Sequence, residues 1–152
     1  MKYNNKKLTI EKVNFQNLAQ KFGTPAYCYS YAKLKDNINK FKENFKSFAP
    51  LICFSVKSNT NLNIIREIRK LGLGADVVSK GELMMALKAG VAPKKIVFSG
   101  VGKTNEEINL AIEKKILLIN AESKSEIQEI DKIAKRKKKI VQVGIRLNPN
   151  TD

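Results

Sequence analysis

The sequence contains no histidine, only two cysteines and only four arginines among its 152 residues. Without histidine, the chain cannot supply a Ser–His or Cys–His nucleophilic pair or a histidine metal site, and we expect no metal. Cys28 and Cys53 lie in apolar runs and are too few for a disulfide framework. They predict buried free thiols and a cytoplasmic protein.

Long apolar runs are also missing. No stretch approaches the roughly 20 apolar residues that a membrane-spanning helix needs. Residues 1–11 are polar and lack the apolar core of a secretory signal. We therefore expect neither a membrane partner nor export.

The charge is strongly one-sided, with 29 basic against 14 acidic residues and a formal net charge of +15. Such a charge suggests nucleic-acid binding, but dedicated binders rely on arginine, which is scarce here. The one basic block, at residues 135–139, ends a predicted helix. We interpret the lysines as a solvated surface and expect no nucleic-acid partner.

From residue 51 onward, short apolar segments alternate with amphipathic segments, which predicts strands alternating with helices. The predicted strands are residues 51–58, 75–79, 96–100, 117–121 and 140–148. The predicted helices are residues 62–71, 80–88, 105–114 and 124–138. Short connections between them predict βα units, a parallel sheet and the α/β class.

Three predicted helices begin with a hydroxyl residue followed three positions later by glutamate. These pairs are Ser79 with Glu82, Thr104 with Glu107, and Ser123 with Glu126. Each spacing predicts a capping box, in which the hydroxyl and the carboxylate accept hydrogen bonds from free N–H groups of the first turn.

The first and last predicted strands each have one apolar face and one small or polar face. In residues 52–58 the polar face ends in Lys57, and in residues 141–148 it carries Arg146. A doubly wound sheet is covered on both faces and has continuously apolar strands. The pattern favours a barrel whose active site lies at the carboxyl ends of its strands, with the doubly wound sheet as the alternative.

Four residues on or after these strands are candidate functional residues. Lys57 is either a solvent-reaching lysine or a Schiff-base lysine, which a partly desolvated site would supply as the neutral amine. Asp76 is expected to face the same side as Lys57 if its two neighbours face the helices. Glu82 has an alternative role in the cap of its helix. Arg146 is expected either to pair with Asp76 or to bind an anionic cofactor.

One motif suggests a nucleotide site but lacks an essential residue. Gly102-Lys103-Thr104 matches the end of a phosphate-binding P-loop, whose first glycine is replaced by Val97 here. The backbone cannot wrap a triphosphate without that glycine. We therefore predict no nucleotide site.

Before residue 50, residues 24–30 read as a strand and residues 31–48 as a helix with an apolar stripe. Several motifs then resemble one family in order: residues 22–29, 54–59 (FSVKSN), 72–83, 98–104 (FSGVGKT) and 146–149. The chain is similar over residues 10–152 to the fold-type III pyridoxal-phosphate-dependent decarboxylases, and within them to the diaminopimelate decarboxylases.

The resemblance implies a partial (β/α)8 TIM-type barrel with about five of the eight strands. Residues 1–31 would form an N-terminal segment with one strand of a second, β-rich domain, and residues 32–152 an incomplete barrel. It implies that Lys57 binds pyridoxal 5'-phosphate and acts in catalysis, while Asp76, Glu82 and Arg146 contact the cofactor.

The implied reaction is decarboxylation of meso-2,6-diaminopimelate to L-lysine and carbon dioxide by a homodimer. The alternatives within the fold are a decarboxylase of ornithine, arginine or carboxynorspermidine, an alanine racemase, or a non-catalytic pyridoxal-phosphate-binding protein. Because the resemblance covers only part of the family's length, we expect this chain alone to be inactive.

Overall fold

The chain forms two units in a computed structural model that describes residues 1–149. The first unit spans Met1–Pro50, and the second begins at Leu51. Residues 150–152, with which the predicted barrel segment 32–152 ends, lie outside the described residues.

The first unit opens with a three-stranded antiparallel sheet in the order β1–β2–β3. Its strands are β1 (Lys2–Asn4), β2 (Lys7–Ile10) and β3 (Val13–Asn14). Asn5 and Lys6, between β1 and β2, have φ values of 48° and 62°, as the central residues of a type I′ turn require. This sheet was not predicted, because Asn-Lys lacks the glycine that usually marks such a turn.

Two helices complete the first unit: α1 (Phe15–Phe22) and α2 (Tyr31–Asn44). The prediction of a helix over residues 31–48 is confirmed up to Asn44, after which Lys46–Phe48 form a 3-10 turn. The strand predicted at residues 24–30 is not formed, because these residues pair with no strand of the described chain. A strand needs a neighbour for its N–H and C=O groups, and apolar composition alone does not supply one.

The second unit is a parallel sheet of five strands, each of the first four followed by a helix. The strands are β4 (Cys53–Ser55), β5 (Gly74–Val77), β6 (Ile96–Phe98), β7 (Leu118–Ala121) and β8 (Val143–Ile145). The helices are α3 (Leu62–Lys70), α4 (Lys80–Lys88), α5 (Asn105–Lys114) and α6 (Lys124–Arg136).

The strands lie in sequence order, β4–β5–β6–β7–β8, and every neighbouring pair is parallel. A doubly wound sheet reverses direction at a switch point, whereas a barrel adds each strand beside the previous one. One face of the strands, including Ala75, Val77, Ile96 and Phe98, is buried in the hydrophobic core with the helices. The barrel-type prediction is confirmed, and the doubly wound alternative is wrong.

The strands are shorter than predicted at both ends of the sheet. Val56–Ser58 form a 3-10 turn after β4 instead of continuing the strand. In the predicted strand 140–148, only Val143–Ile145 form a strand, and the flanking Gln142 and Arg146 each share one backbone hydrogen bond with β7. The alternation of apolar residues continues past the point where neighbouring backbone is available, so the pattern overestimates strand length.

Of the three predicted capping boxes, only that of Thr104 and Glu107 has both hydrogen bonds. At Ser79 and Ser123 the hydroxyl accepts its hydrogen bond as predicted. The paired glutamates, however, accept from the residue before the cap: Glu82 from the N–H of Val78 and Glu126 from that of Glu122. The prediction of a capping box is therefore wrong at these two helices, where the glutamate side chain reaches the N–H one residue before the cap.

Candidate active site

The carboxyl ends of β4 to β8 lie along one edge of the parallel sheet, and the predicted functional residues follow these ends. Lys57 lies in the 3-10 turn after β4 and is exposed. It is thus not the last residue of a strand, and the described residues do not provide the partial desolvation that was expected. Its amine is open to a partner at the edge where barrel active sites lie.

Asp76 lies on β5, beside the strand that leads to Lys57. Its backbone is in register with Ser55, whose hydroxyl donates a hydrogen bond of 3.3 Å to Asp76 Oδ2. Its neighbours Ala75 and Val77 are 1% and 0% exposed and belong to the core. Asp76 therefore faces away from the helices, as predicted.

The second oxygen of this carboxylate has no partner. Asp76 Oδ1 is buried and accepts no hydrogen bond from any residue within 1–149. A buried acceptor without a donor is costly, and native structures usually satisfy such atoms. We call the face of the sheet that points away from the helices its inner face. This face thus offers one hydrogen-bond acceptor without a donor, on β5 beside the strand that leads to Lys57.

Cys53 shares this inner face at the start of β4. Burial raises the pKa of its thiol, and the nearby negative charge of Asp76 raises it further. The thiol is thereby kept protonated, so Cys53 is a neutral, weakly polar group on this face.

Glu82 lies in the first turn of α4, where its Oε2 accepts a hydrogen bond of 2.9 Å from the N–H of Val78. Val78 directly follows β5, so this bond fixes the turn between strand and helix. As the predicted alternative states, Glu82 thus stabilises the start of its helix, but the donor is the N–H of Val78 and not that of Ser79.

Arg146 follows β8, and its N–H donates to the carbonyl of Ala121 at the end of β7. Its guanidinium pairs with Glu122 Oε1 at 3.1 Å. The predicted alternative of a pair with Asp76 is wrong, because β6 and β7 lie between β5 and β8. The structure thus places Lys57 just after β4, Asp76 on the neighbouring strand β5, and Arg146 after β8 at the opposite edge of the sheet.

Between these ends, the inner face carries a polar pair that the sequence did not single out. Asn120 Nδ2 on β7 donates a hydrogen bond of 3.0 Å to Ser99 Oγ, just after β6. A Cβ on Gly144 of β8 would lie 2.3 Å from Asn120 Oδ1, so a larger residue at this position would displace the amide. The alternation of residues along the strands could have indicated that Ser99 and Asn120 face the same side of the sheet. Serine and asparagine are also common in loops, so this signal is weak.

Lys103 is a further residue whose role the sequence did not reveal, although it lies in the motif at residues 98–104 and at the end of the incomplete P-loop. Its side chain is fully buried, and its Nζ donates to the carbonyls of Gly100 and Asn120 and to Glu126 Oε1. An ammonium has three N–H donors, and all three are used. Lys103 is therefore not available as a nucleophile, in contrast to the exposed Lys57.

A family model described as "Pyridoxal-dependent decarboxylase, pyridoxal binding domain" matches residues 31–152. The chain belongs to this family. The curated diaminopimelate decarboxylase of Aquifex aeolicus is 41% identical over 152 residues, which are 100% of this chain and 36% of that protein. Other curated diaminopimelate decarboxylases are similar at 41% to 45% identity. The chain thus spans about a third of the length of the relatives it matches.

Among solved structures, diaminopimelate decarboxylase from M. jannaschii is 39% identical, with a TM-score of 0.95 over 99% of this chain and 36% of that one. That protein has also been solved in complex with L-lysine. An arginine decarboxylase from Paramecium bursaria Chlorella virus is only 18% identical, with a TM-score of 0.76 over 90% of this chain and 37% of that one. The fold is therefore shared among decarboxylases of different amino acids and does not by itself define the substrate.

The described residues fit the cofactor that this family implies, pyridoxal phosphate. The cofactor's aldehyde needs an accessible amine, which Lys57 offers, and its ring and bound amines carry N–H groups. The buried acceptor Asp76 Oδ1 has no partner within residues 1–149, so an N–H group of the cofactor could donate a hydrogen bond to it.

Within the same residues, no helix is long and apolar enough to cross a membrane, and no cluster of three potential metal ligands occurs.

Proposed function

We propose that this chain provides the cofactor-lysine part of a diaminopimelate decarboxylase, which converts meso-2,6-diaminopimelate to L-lysine and carbon dioxide. The observation that carries the proposal is the 41% identity to the Aquifex aeolicus enzyme over the whole of this chain. The exposed amine of Lys57 at the carboxyl edge of the sheet is consistent with it.

Lys57 is the proposed catalytic residue. Its Nζ is the group that would hold the cofactor, at the cofactor's aldehyde carbon. Pyridoxal phosphate, when bound, supplies an electron sink for the carbanion that forms as carbon dioxide leaves. The backbone of the Val56–Ser58 turn would orient the amine, since the N–H of Asn59 donates to the carbonyl of Val56 and closes that turn.

Asp76 and Glu82 are proposed to help bind the cofactor, Asp76 directly and Glu82 indirectly. Asp76 Oδ1 would accept a hydrogen bond from a donor on the inner face, and its negative charge would favour a protonated partner. Glu82 would act through the backbone, because its bond to the N–H of Val78 fixes the loop after β5.

Arg146 is proposed to contribute positive charge near an anionic group of the cofactor. Its pair with Glu122 leaves the guanidinium side chain 50% exposed, so part of its donor capacity remains available. We further propose that the intact enzyme is a homodimer, as the resemblance to the family implies. The domain division at residue 31 likewise stays a prediction.

The competing functions are decarboxylation of ornithine, arginine or carboxynorspermidine, racemisation of alanine, and cofactor binding without catalysis. The identity to diaminopimelate decarboxylases favours the first proposal, since the arginine decarboxylase with the same fold is only 18% identical. A non-catalytic protein would also bind cofactor at Lys57, so only turnover distinguishes that case.

Two matched hybrid enzymes test the proposal. In one, this chain replaces the matching 36% of the Aquifex aeolicus enzyme. In the other, it replaces the matching 37% of the viral arginine decarboxylase. We expect the first hybrid to release carbon dioxide from meso-diaminopimelate and the second to be inactive on arginine, because the interfaces of a 41% identical partner are better matched.

The Lys57→Arg variant of the first hybrid is the control for turnover. In the unaltered first hybrid, borohydride reduction with peptide mapping should place the pyridoxyl group on Lys57. Arginine keeps the charge but lacks the nucleophilic amine, so turnover should be lost. A folded, cofactor-loaded first hybrid without turnover would refute the substrate assignment, as would activity of the second hybrid alone. Labelling at another lysine would refute the role of Lys57.

A further inference from the structure

Lys103 and Glu126 form an ion pair that is withdrawn from solvent. Their side chains are 0% and 9% exposed, and the Nζ and Oε1 atoms are 3.0 Å apart. In the other ion pairs identified within residues 1–149, the side chains of both partners are at least 19% exposed. Lys103 Nζ also lies 5.7 Å from the centre of the Phe98 ring.

Burial of such a pair is costly, and well-packed apolar residues often stabilise a fold as well or better. The cost is offset here because every donor of the ammonium has an acceptor, including the carbonyl of Gly100 at 2.6 Å. A buried and fully satisfied pair fixes geometry more strictly than an apolar contact does, because hydrogen bonds are directional.

The pair is connected to the site through two neighbouring residues. The second oxygen of Glu126 accepts a hydrogen bond of 2.8 Å from the N–H of Glu122. The carboxylate of Glu122 in turn pairs with the guanidinium of Arg146 at 3.1 Å. Lys103 also holds the carbonyl of Asn120, whose side chain lies on the inner face. The contacts therefore run from the end of β6, across the end of β7, to the residue after β8.

We propose that Lys103 and Glu126 are a positioning pair that fixes the carboxyl end of β7 and thereby holds the guanidinium of Arg146. The pair does not touch the reacting groups, since the donors of Lys103 are all occupied within the fold. The importance of this positioning for the enzyme rests on the function proposed above, whereas the mechanical connection itself does not.

The connection is tested by nuclear magnetic resonance on the 152-residue chain. The Lys103→Met variant keeps an unbranched side chain of similar length and removes the charge. We expect amide exchange at Glu122 to accelerate about tenfold or more, the factor expected when one hydrogen bond to a charged acceptor is weakened. The Arg146 Nε–H signal should shift toward that of a solvent-exposed arginine.

Lys135→Met is the matched control. Lys135 pairs with Asp131 at 2.7 Å on α6, but its side chain is 77% exposed. The control should change neither Glu122 exchange nor the Arg146 signal. Unchanged Glu122 and Arg146 signals in a folded Lys103→Met chain would overturn the proposal.

If Lys103→Met fails to fold because Glu126 is left buried and unpaired, the double variant Lys103→Met/Glu126→Met removes both charges. It should fold and still release Arg146, and an unchanged Arg146 signal would overturn the proposal. The reverse direction uses Glu122→Gln in the otherwise unchanged chain. Coupling is reciprocal, so this change should alter the Lys103 ammonium signal, and no alteration would equally overturn the proposal.

Borohydride labelling with pyridoxal phosphate on the same samples separates this proposal from the proposed function. Absent labelling of Lys57 in the unaltered chain would count against the function and leave the resonance result standing. Normal labelling of Lys57 with no effect of Lys103→Met on Arg146 would remove the positioning role alone.

Discussion

Lys57 and Lys103 show how one residue type takes opposite roles within a single barrel segment. Lys57 is exposed in a turn at the carboxyl edge of the sheet, whereas the side chain of Lys103 is fully buried with three acceptors. A free amine can react with an aldehyde, while a fully bonded ammonium stabilises the loops around it. Exposure and hydrogen bonding, and not residue type, decide which lysine is available for chemistry.

Asp76 and Cys53 give a prediction at the same scale. Burial and then the charge of Asp76 raise the pKa of Cys53, so the thiolate fraction is low near neutral pH. In Asp76→Asn the charge is removed while burial remains, so the pKa should fall only in part. We expect alkylation of Cys53 at pH 8 to accelerate about two- to tenfold, since tenfold corresponds to one pKa unit.

The prediction that both cysteines are buried is wrong for Cys28, which is exposed, while Cys53 is partly buried. The measurement is therefore thiol alkylation in a Cys28→Ser background, because Cys28 would dominate the signal. Asp131→Asn, an exposed carboxylate on α6, is the matched control and should leave the rate unchanged. A slower reaction in Asp76→Asn would contradict the assigned sign of the effect.

At the scale of elements, the helix starts along the carboxyl edge are connected by glutamates. Glu107 accepts from the N–H and hydroxyl of Thr104 in its own cap and from the N–H of Lys80 at the start of α4. Burial acts against its ionisation, but the hydrogen bonds from Thr104 and Lys80 outweigh burial and lower its pKa. One carboxylate therefore stabilises the first turns of two helices.

Glu107→Gln should accordingly lower the free energy of unfolding at pH 7 by about 1–2 kcal/mol, the usual cost of a lost cap. A lowered pKa contributes stability above the unfolded value, which is lost as pH falls through the folded pKa. The deficit of the variant should therefore shrink below about pH 4.5, the ordinary value for this carboxyl. Urea unfolding at several pH values measures it.

Glu106→Gln provides the matched control one residue away. Glu106 is 71% exposed and pairs with the side chain of Lys80 at the surface. Exposed pairs contribute about 0–1 kcal/mol, so this variant should unfold nearly like the unaltered chain. Equal effects of the two substitutions would contradict the special role of Glu107.

Strand spacing gives another prediction at this scale, because β5 begins at a glycine in close contact with its neighbours. A Cβ on Gly74 would lie 2.2 Å from the carbonyl oxygen of Lys95 and 2.9 Å from Cys53 Sγ. Gly74→Ala should therefore destabilise the chain by about 1–3 kcal/mol through overpacking. Gly81→Ala on α4 meets nothing closer than 3.8 Å and should stabilise by about 0.5–1 kcal/mol.

Thermal and urea unfolding of these two variants measure the difference. The same chemical change should shift the midpoint in opposite directions, since one site contacts backbone and the other is open. A stabilised Gly74→Ala would show that β5 and the turn before β6 can separate without cost.

At the scale of the whole molecule, the proposed site residues lie on or after different strands of one parallel sheet. Lys57 follows the first strand of the second unit and Arg146 the fifth. β8 is the last strand of the described sheet, and its residues Val143 and Ile145 are 37% and 69% exposed. Groups at the ends of separated strands act on one small molecule in a barrel because the eight strands close around a common centre.

We therefore predict that the 152-residue chain alone does not decarboxylate diaminopimelate above the rate of free pyridoxal phosphate. Misplacement of reacting groups by about 1 Å already costs on the order of a hundredfold in rate. Carbon dioxide release with excess cofactor measures it, with Lys57→Ala as the control. Turnover above the free-cofactor rate that is lost in Lys57→Ala would contradict the prediction.

Periodicity and helix-start residues were sufficient to predict the order and approximate positions of the strands and helices of the second unit. The bounds of α4 and α5 agree with the predicted helices at residues 80–88 and 105–114, because cap residues mark both starts. The two-faced pattern of β4 and β8 indicated a barrel, and the motif around Lys57 indicated the family. These signals are local in sequence, so they do not depend on which segments meet in space.

Only the tertiary structure decided which groups meet. The partner of Arg146 is Glu122 and not Asp76, because strand order places β8 beside β7. The role of Lys103 depends on acceptors from three different segments, up to 23 residues away in sequence. Hydrogen bonds and burial depend on distance in space, and a sequence pattern carries no such distance until the strands are ordered and packed.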